Sequence, residues 1–282
     1  MSLTPAVASR IEQLIAPLRD KPEGSAILSD VDGTLAPIVP DPGDAEVPDE
    51  TRRVLQRLAN RFALVGLVSG RRAADARRLV GVGEAAYAGN HGLELMAPGA
   101  EGVTLDPAVA DRAGAARDFL HGLDLTAIRA SGLRPEDKGP IQSLHWRGAP
   151  DEASAERLAR EVADRARRAG LWPHWGRKVL EVRPVAKIDK GTAVRRLVGG
   201  GALQGALFGG DDRTDLDAFR ALRSLAAAGD LGVAICIGVA SDEAPSELPQ
   251  EADAVVSGPG EFVEVLEALA PRRAPDAGAN PG

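Results

Sequence analysis

Ala26-Ile27-Leu28-Ser29-Asp30-Val31-Asp32-Gly33-Thr34 is the stretch that decides the fold, because a short apolar run delivers two carboxylates, one residue apart, into a glycine turn. A buried parallel strand has this look, and its carboxyl end opens into the crevice where open α/β sheets hold ligands. Gly33 lets the backbone of the turn approach a phosphate closely. One acid is then placed to attack phosphorus and the other to serve the leaving group. An aspartyl phosphate formed in this way splits one difficult displacement into two easier ones. Read alone, the pentapeptide also fits an ordinary Asp-Gly turn after a buried strand, so the rest of the chain has to decide.

Working outward, Val7, Ile11, Leu14, Ile15 and Leu18 recur at helical spacing ahead of the strand. After Thr34 come Pro37, Pro40, Pro42, Gly43 and Pro48, which exclude the helix that a dinucleotide or Walker-type site needs directly after its glycine turn. A helix opening at Asp49, with Val54, Leu55 and Leu58 on one side, leads to a strand over 63–68 and the polar tip Ser69-Gly70-Arg71. Tyr87-Ala88-Gly89 running into Asn90-His91-Gly92 repeats the pattern. The middle of the chain reads differently: helix 108–121, strand 141–147, helix 153–168 and strand 179–183. In the first of these strands Ser143, His145 and Arg147 alternate with Gln142, Leu144 and Trp146, as in a sheet packed on one side only. This is the pattern of an inserted second domain. Beyond it a helix opens at 187–191, a strand over 203–208 ends in Gly209-Gly210-Asp211-Asp212, and a further strand covers 233–237. Phe262, Val263, Val265, Leu266 and Leu269 form a closing helix, and 271–282 is a Pro, Gly and Ala tail expected to be disordered.

The bulk numbers agree with two folding units, since 282 residues exceed what one core usually holds. Aromatic residues are only 3%, so small side chains must fill the interior. A net charge of −7 argues against general affinity for nucleic acid or an anionic membrane, and any anion site must be local. The single Cys236 excludes an intramolecular disulfide and fits a reducing compartment. Residues 1–20 carry Arg10, Glu12, Arg19 and Asp20 with no continuous apolar stretch, so neither a signal peptide nor a membrane span is expected, and the expected location is the cytoplasm.

Ser69, Lys190, Asp211, Asp212 and Asp215 each fall at a predicted strand end or helix start, and with Asp30 and Asp32 they supply the parts phosphoryl transfer needs. Carboxylates this close repel one another and an incoming phosphate, so a hard divalent cation is required, and Mg²⁺ suits carboxylate and phosphate oxygens. In this reading Asp30 is the nucleophile, Asp32 the general acid and then base, and Lys190 a fixed positive charge. The phosphate is expected to meet Gly33, Thr34, Ser69, Gly70, Arg71 and Lys190. Singly, each has a plain structural role: Ser69 a turn residue, Lys190 a solvated helix residue, and 211–215 a helix cap with an acidic first turn.

Asp30-Val31-Asp32-Gly33-Thr34, Ser69, Lys190 and Gly210-Asp211-Asp212 with Asp215 resemble the four motifs of the haloacid dehalogenase superfamily of phosphatases. The closer similarity is to the trehalose-6-phosphate phosphatase family. It is carried by 30–38, Ser69-Gly70-Arg71, Asn90-His91-Gly92, Glu136-Asp137-Lys138-Gly139, Ser143-Leu144-His145-Trp146-Arg147, Gly176-Arg177 and Glu181-Val182-Arg183-Pro184, within a match over about 26–269. The resemblance implies an α/β fold with a Rossmann-like parallel-sheet core over 1–105 and 188–270, and a smaller inserted α/β cap over 106–187 that closes on it. It implies Mg²⁺ held by the Asp30 carboxylate, the Asp32 main-chain carbonyl and Asp211, with Asp212 and Asp215 as supporting ligands or outer support. Lys138, His145, Arg177 and Glu181 match cap positions that in this family meet the disaccharide, while Asn90, His91 and Gly92 border the site from the core.

The implied reaction is hydrolysis of trehalose 6-phosphate to trehalose and inorganic phosphate in trehalose biosynthesis. Whether a trehalose-6-phosphate synthase feeds the site is left open. So are two rivals: a phosphatase for another sugar phosphate, such as sucrose 6-phosphate or mannosyl-3-phosphoglycerate, and a non-catalytic sugar-phosphate sensor. The chain departs from the family pattern at Arg177 (usually Lys), Leu216 (commonly Glu), Trp146 (usually Tyr) and Cys236 (often basic). These bear on substrate detail and metal affinity more than on reaction type.

Overall fold

The structure is a computed structural model that describes residues 3–39, 42–176, 178–200, 203–241 and 244–270. The chain enters through α1 (Pro5–Asp20), β1 (Ser25–Ser29), α2 (Asp49–Ala59), β2 (Leu64–Val68), α3 (Ala73–Val80), β3 (Ala86–Gly89) and β4 (Glu94–Met96). A second stretch holds β5 (Thr104–Leu105), α4 (Pro107–Ala110), α5 (Ala115–His121), α6 (Leu125–Ala130), β6 (Arg134–Asp137), β7 (Gln142–His145), α7 (Glu152–Arg168), β8 (Leu171–Gly176) and β9 (Val179–Pro184). The chain then returns through α8 (Lys190–Val198), β10 (Gly205–Gly210), α9 (Asp215–Ala228), β11 (Val233–Val239), α10 (Leu248–Glu251), β12 (Ala254–Val256) and α11 (Pro259–Leu269). It divides into two compact units, Met1–Val103 with Asp189–Gly282, and Thr104–Ile188.

In the first unit the strands run β12-β11-β10-β1-β2-β3-β4, parallel except where β4 pairs antiparallel with β3. β1 lies in the middle, buried along its whole length. Its side chains feed two separate cores, as a sheet covered on both faces requires. Ala26 and Leu28 pack with Val194 of α8 and with Leu216, Phe219 and Leu222 of α9. Ile27 packs with Ile11 and Ile15 of α1, Val54 and Leu58 of α2, and Phe262 and Leu266 of α11. The scarcity of aromatics has a local expression here: a Cβ on Gly209 of β10 would overlap the Phe262 ring, so a glycine strand residue admits the large side chain of α11.

The second unit is a four-stranded antiparallel sheet, β6-β7-β9-β8. Leu144, Trp146, Leu180 and Val182 face α5 and α7 through Ala116, Leu120, Ala159, Val162 and Ala163. One expectation needs correction, and two strands went unread. The helix read over 108–121 is two helices, α4 and α5, parted by a turn that ends at Gly114, the residue preceding α5. β8 was not anticipated because Pro173 interrupts it. The structure shows how the proline is tolerated: β8 is an edge strand, where a missing N–H costs no ladder bond. β6, Arg-Pro-Glu-Asp, carries no apolar signal at all. The tail over 271–282 lies outside the described residues.

Candidate active site

Asp30 leaves the end of β1 with its N–H on the carbonyl of Gly209 (2.9 Å), which ties it to the neighbouring β10, and its side chain is buried. The turn that follows closes on itself. Leu35 and Ala36 N–H both donate to the Val31 carbonyl (2.9 Å each), and Gly33 N–H donates to that of Ala36 (2.7 Å). Gly33 has φ 87°, and a Cβ there would overlap the carboxylate of Asp211. The glycine is needed twice over, for its left-handed backbone and for the acid that lies against it. Gly33→Ala is therefore expected to lower kcat by about 100-fold by displacing Asp211, the order of loss that a misplaced catalytic group produces. Steady-state phosphate release on a variant whose thermal unfolding stays cooperative checks this.

Asp211, at the end of β10, accepts from Thr34 Oγ1 (3.2 Å) and Ser241 Oγ (3.1 Å). Asp215, the first residue of α9, is fully buried and uses both oxygens: Oδ2 accepts from the N–H groups of Asp211 and Asp212 (3.0 Å each), and Oδ1 accepts from Lys190 Nζ (2.7 Å). Asp212 turns outward and accepts from Thr214 N–H and Oγ1 (2.7 Å each) and from Asp215 N–H (3.1 Å). Lys190, 2% exposed, lies 2.8 Å from Asp30 Oδ1, 2.7 Å from Asp215 Oδ1 and 3.9 Å from Asp212 Oδ1. It opens α8 directly after Asp189, which closes a capping box with Thr192.

Oxygens of Asp30, Asp211 and Asp215 all fall within 4.8 Å of one another. Burial, reinforced by Asp211, Asp212 and Asp32 and opposed by Lys190, pushes the Asp30 carboxyl up to about 8. Burial, with Asp215 and Asp212, pushes Asp211 up to about 7. Burial works against the Lys190 ammonium too, but Asp212, Asp215 and Asp30 more than offset it and hold its pKa above the usual lysine range. Burial likewise opposes ionisation of Asp212, but Lys190 and the Thr214 hydrogen bond outweigh it and hold that carboxyl low. The cluster thus contains more acid than one ammonium can neutralise. Its all-oxygen donor set is the kind that hard divalent cations such as Mg²⁺ take.

The second polar tip meets the third. Ser69 N–H donates to the Ala88 carbonyl (2.9 Å), His91 N–H to that of Ser69 (3.0 Å), and Asn90 N–H to that of Arg71 (2.7 Å). Asn90 and His91 have φ of 50° and 58°, a strained pair for residues with side chains. A Cβ on Gly70 would come within 2.9 Å of the His91 ring. The Asn90 amide donates to Glu94 (2.9 Å), and a Cβ on Gly92 (φ 109°) would come within 3.0 Å of the Asp189 carbonyl, so this turn packs onto the start of α8. The 90–92 turn thus packs against both the Ser69 tip and the residue that precedes Lys190. Arg71 was expected on the phosphate. In the structure its guanidinium grips Asp32, Nε to Oδ2 at 2.8 Å and Nη2 to Oδ1 at 2.7 Å.

In the second unit, Glu136, Ser143, Glu181 and His174 are in register across the sheet and share one face. Lys138 Nζ lies 3.2 Å from Glu181 Oε1, and Arg183 Nε donates to Glu181 Oε2 (3.0 Å). His145 Nε2 meets Glu136 at 2.7 Å. Ser143 Oγ is buried with no hydrogen-bond partner among the described residues. Arg183 was not anticipated, although its place two residues after Glu181 on a strand puts both on the same face. Arg177 lies outside the described residues. Two of the departures from the family pattern, Leu216 and Cys236, have buried side chains in the apolar cluster beside β10, and the Cys236 N–H donates to Asp253 (2.8 Å).

A parallel α/β sheet with a buried acid-and-lysine cluster at its carboxyl ends, interrupted by an inserted α/β unit, is the haloacid-dehalogenase-like phosphatase fold. A solved structure of the C. albicans trehalose-6-phosphate phosphatase C-terminal domain matches it with a TM-score of 0.73 at 24% identity, over 92% of this chain and 96% of that one. The trehalose-phosphatase family model matches residues 28–252. Trehalose 6-phosphate phosphatase RA3 of Zea mays is 33% identical over 97% of this chain and 76% of its own length. Probable trehalose-phosphate phosphatase G of Arabidopsis thaliana is 33% identical over 86% of this chain and 68% of its own. The chain belongs to the trehalose-phosphatase family and is a phosphoric monoester hydrolase.

Proposed function

We propose that this chain hydrolyses trehalose 6-phosphate to trehalose and inorganic phosphate through an aspartyl phosphate on Asp30. The observation that carries the proposal is the buried contact of Lys190 with Asp30 at 2.8 Å, inside a cluster of acids at the ends of β1 and β10. A lysine held there fixes the carboxylate that attacks and offers positive charge to the transferring oxygens. Attack by an Asp30 oxygen on phosphorus breaks the bond to the sugar oxygen, and Asp32 gives that oxygen its proton. In the second step Asp32 takes a proton from water, whose oxygen attacks the phosphoryl group, freeing phosphate and restoring Asp30. Asp30, Asp211 and Asp215, with Asp212 and the Asp32 carbonyl in support, would hold Mg²⁺. That ion supplies charge neutralisation for the phosphoryl oxygens.

Sugar recognition falls to the inserted unit. Glu181 held by Lys138 and Arg183, the His145–Glu136 pair, the buried Ser143 hydroxyl and Arg177 offer donors and acceptors for sugar hydroxyls. Among the described residues no helix is long and apolar enough to cross a membrane, and we place the reaction in the cytoplasm, where a synthase would supply the substrate.

A phosphate-release screen over trehalose 6-phosphate, sucrose 6-phosphate and glucose 6-phosphate, with Mg²⁺ and after chelation, tests this. Trehalose 6-phosphate should be the preferred substrate, and chelation should cut its turnover by at least about 100-fold, the scale of losing a charge-stabilising group. Preference for another sugar phosphate, or release indifferent to chelation, would overturn it.

A further inference from the structure

We infer that Arg71 acts as the positioning residue for Asp32, holding its carboxylate in one orientation for proton transfer instead of clamping the phosphate. The inference rests on the reading of Asp32 as general acid and base. Asp32 differs from the other acids of the cluster. Asp30, Asp211 and Asp215 are buried, Asp30 and Asp215 against Lys190 and Asp211 against the Thr34 and Ser241 hydroxyls, whereas the Asp32 side chain is 37% exposed and makes no contact with Lys190 within ion-pair distance. A half-exposed aspartate has rotamers to choose from, and a proton donor works only within hydrogen-bond reach of its target.

The bidentate fork of Arg71 removes that freedom, because both carboxylate oxygens are held at 2.7–2.8 Å by two nitrogens of one planar group. The fork is itself anchored. Arg71 N–H donates to Ser69 Oγ (3.1 Å) and its carbonyl accepts from Asn90 N–H (2.7 Å), while the His91 ring packs over Gly70 just before it. Two polar tips, 69–71 and 90–92, therefore set the direction of one guanidinium. This also gives the strained left-handed pair at Asn90 and His91 a purpose, since that turn supplies the N–H that holds the Arg71 carbonyl.

A double-mutant cycle in the intact enzyme separates positioning from phosphate clamping. Asp32→Ala, Arg71→Ala, the double variant and Arg71→Lys are compared for kcat on trehalose 6-phosphate and for the inhibition constant of inorganic phosphate, with saturating Mg²⁺. Arg71→Ala should lower kcat by about 10- to 100-fold, yet change kcat by less than about 2-fold when Asp32 is already alanine. The inhibition constant for phosphate should move by less than about 2-fold, and Arg71→Lys should recover only part of the loss, because an ammonium cannot hold two oxygens side by side.

A phosphate clamp would multiply through the cycle and weaken phosphate binding in step with kcat; either result would overturn the assignment. Near-normal turnover by Asp32→Ala is a different failure, which would remove the underlying reading of Asp32. If Arg71→Ala does not fold, Arg71→Lys against Asp32→Ala completes the same cycle.

Discussion

Asp30→Asn is expected to leave a folded protein with no measurable phosphate release, kcat falling by at least about 10⁴-fold, the scale seen when a nucleophile is removed from a catalytic unit that works as one. The amide matches the carboxylate in shape but cannot form the acyl phosphate. Folding should survive because the exchange removes charge from a place with too much of it: burial and the neighbouring acids already push the Asp30 carboxyl up to about 8. Lys190 keeps Asp215 as a partner at 2.7 Å. Rapid-quench experiments with labelled substrate should trap a phosphoenzyme in the parent and none in the variant. A variant that kept more than about 1% of the parent rate would end the case for this nucleophile, because residual activity at that level exceeds what binding and electrostatics alone supply.

Lys190→Met is expected to damage both stability and turnover. The side chain is 2% exposed and touches Asp30 and Asp215 at ion-pair distance. Methionine fills a similar volume but strands buried carboxylates, and breaking a buried ion cluster on one side costs about 3–5 kcal/mol. The urea midpoint in chelator should fall accordingly. Added Mg²⁺ should raise the variant's midpoint by more than it raises the parent's, since a cation that binds only the folded state stabilises by mass action and here replaces a missing charge. Turnover with saturating Mg²⁺ should drop by about 100- to 1000-fold. An unchanged midpoint in chelator would mean that the ammonium is not the counter-charge of the acids.

The central strands and the acid tips were legible because they obey local rules. Short apolar runs such as 26–28 and 203–208 are what strands buried on both faces look like, and Asp30, Ser69 and Asp211 stand where such runs break into polar turns. The structure brings Asp30, Lys190, Asp211, Asp212 and Asp215 into one cluster. Pairings between side chains were not legible. Arg71 reaches Asp32 across 39 positions of sequence, and nothing in the Ser-Gly-Arg tip distinguishes a carboxylate partner from a phosphate. Asp215 could be placed near the other acids by position, but its use of both oxygens on backbone amides and Lys190 depends on the folded loop. β8 was hidden by Pro173, and Arg183 by the absence of any pattern that marks a charged strand residue as a neighbour's partner.

Lys190 is the second residue after the insertion ends, yet the capping box of Asp189 and the turn around Gly92 orient it from within the core. The seam between the two units therefore runs just ahead of the chemistry and leaves it whole. On the proposed division of labour, a lineage could rewrite or exchange everything between that seam and Val103 as a cassette and inherit a new appetite for sugars, while the reaction passes down unaltered.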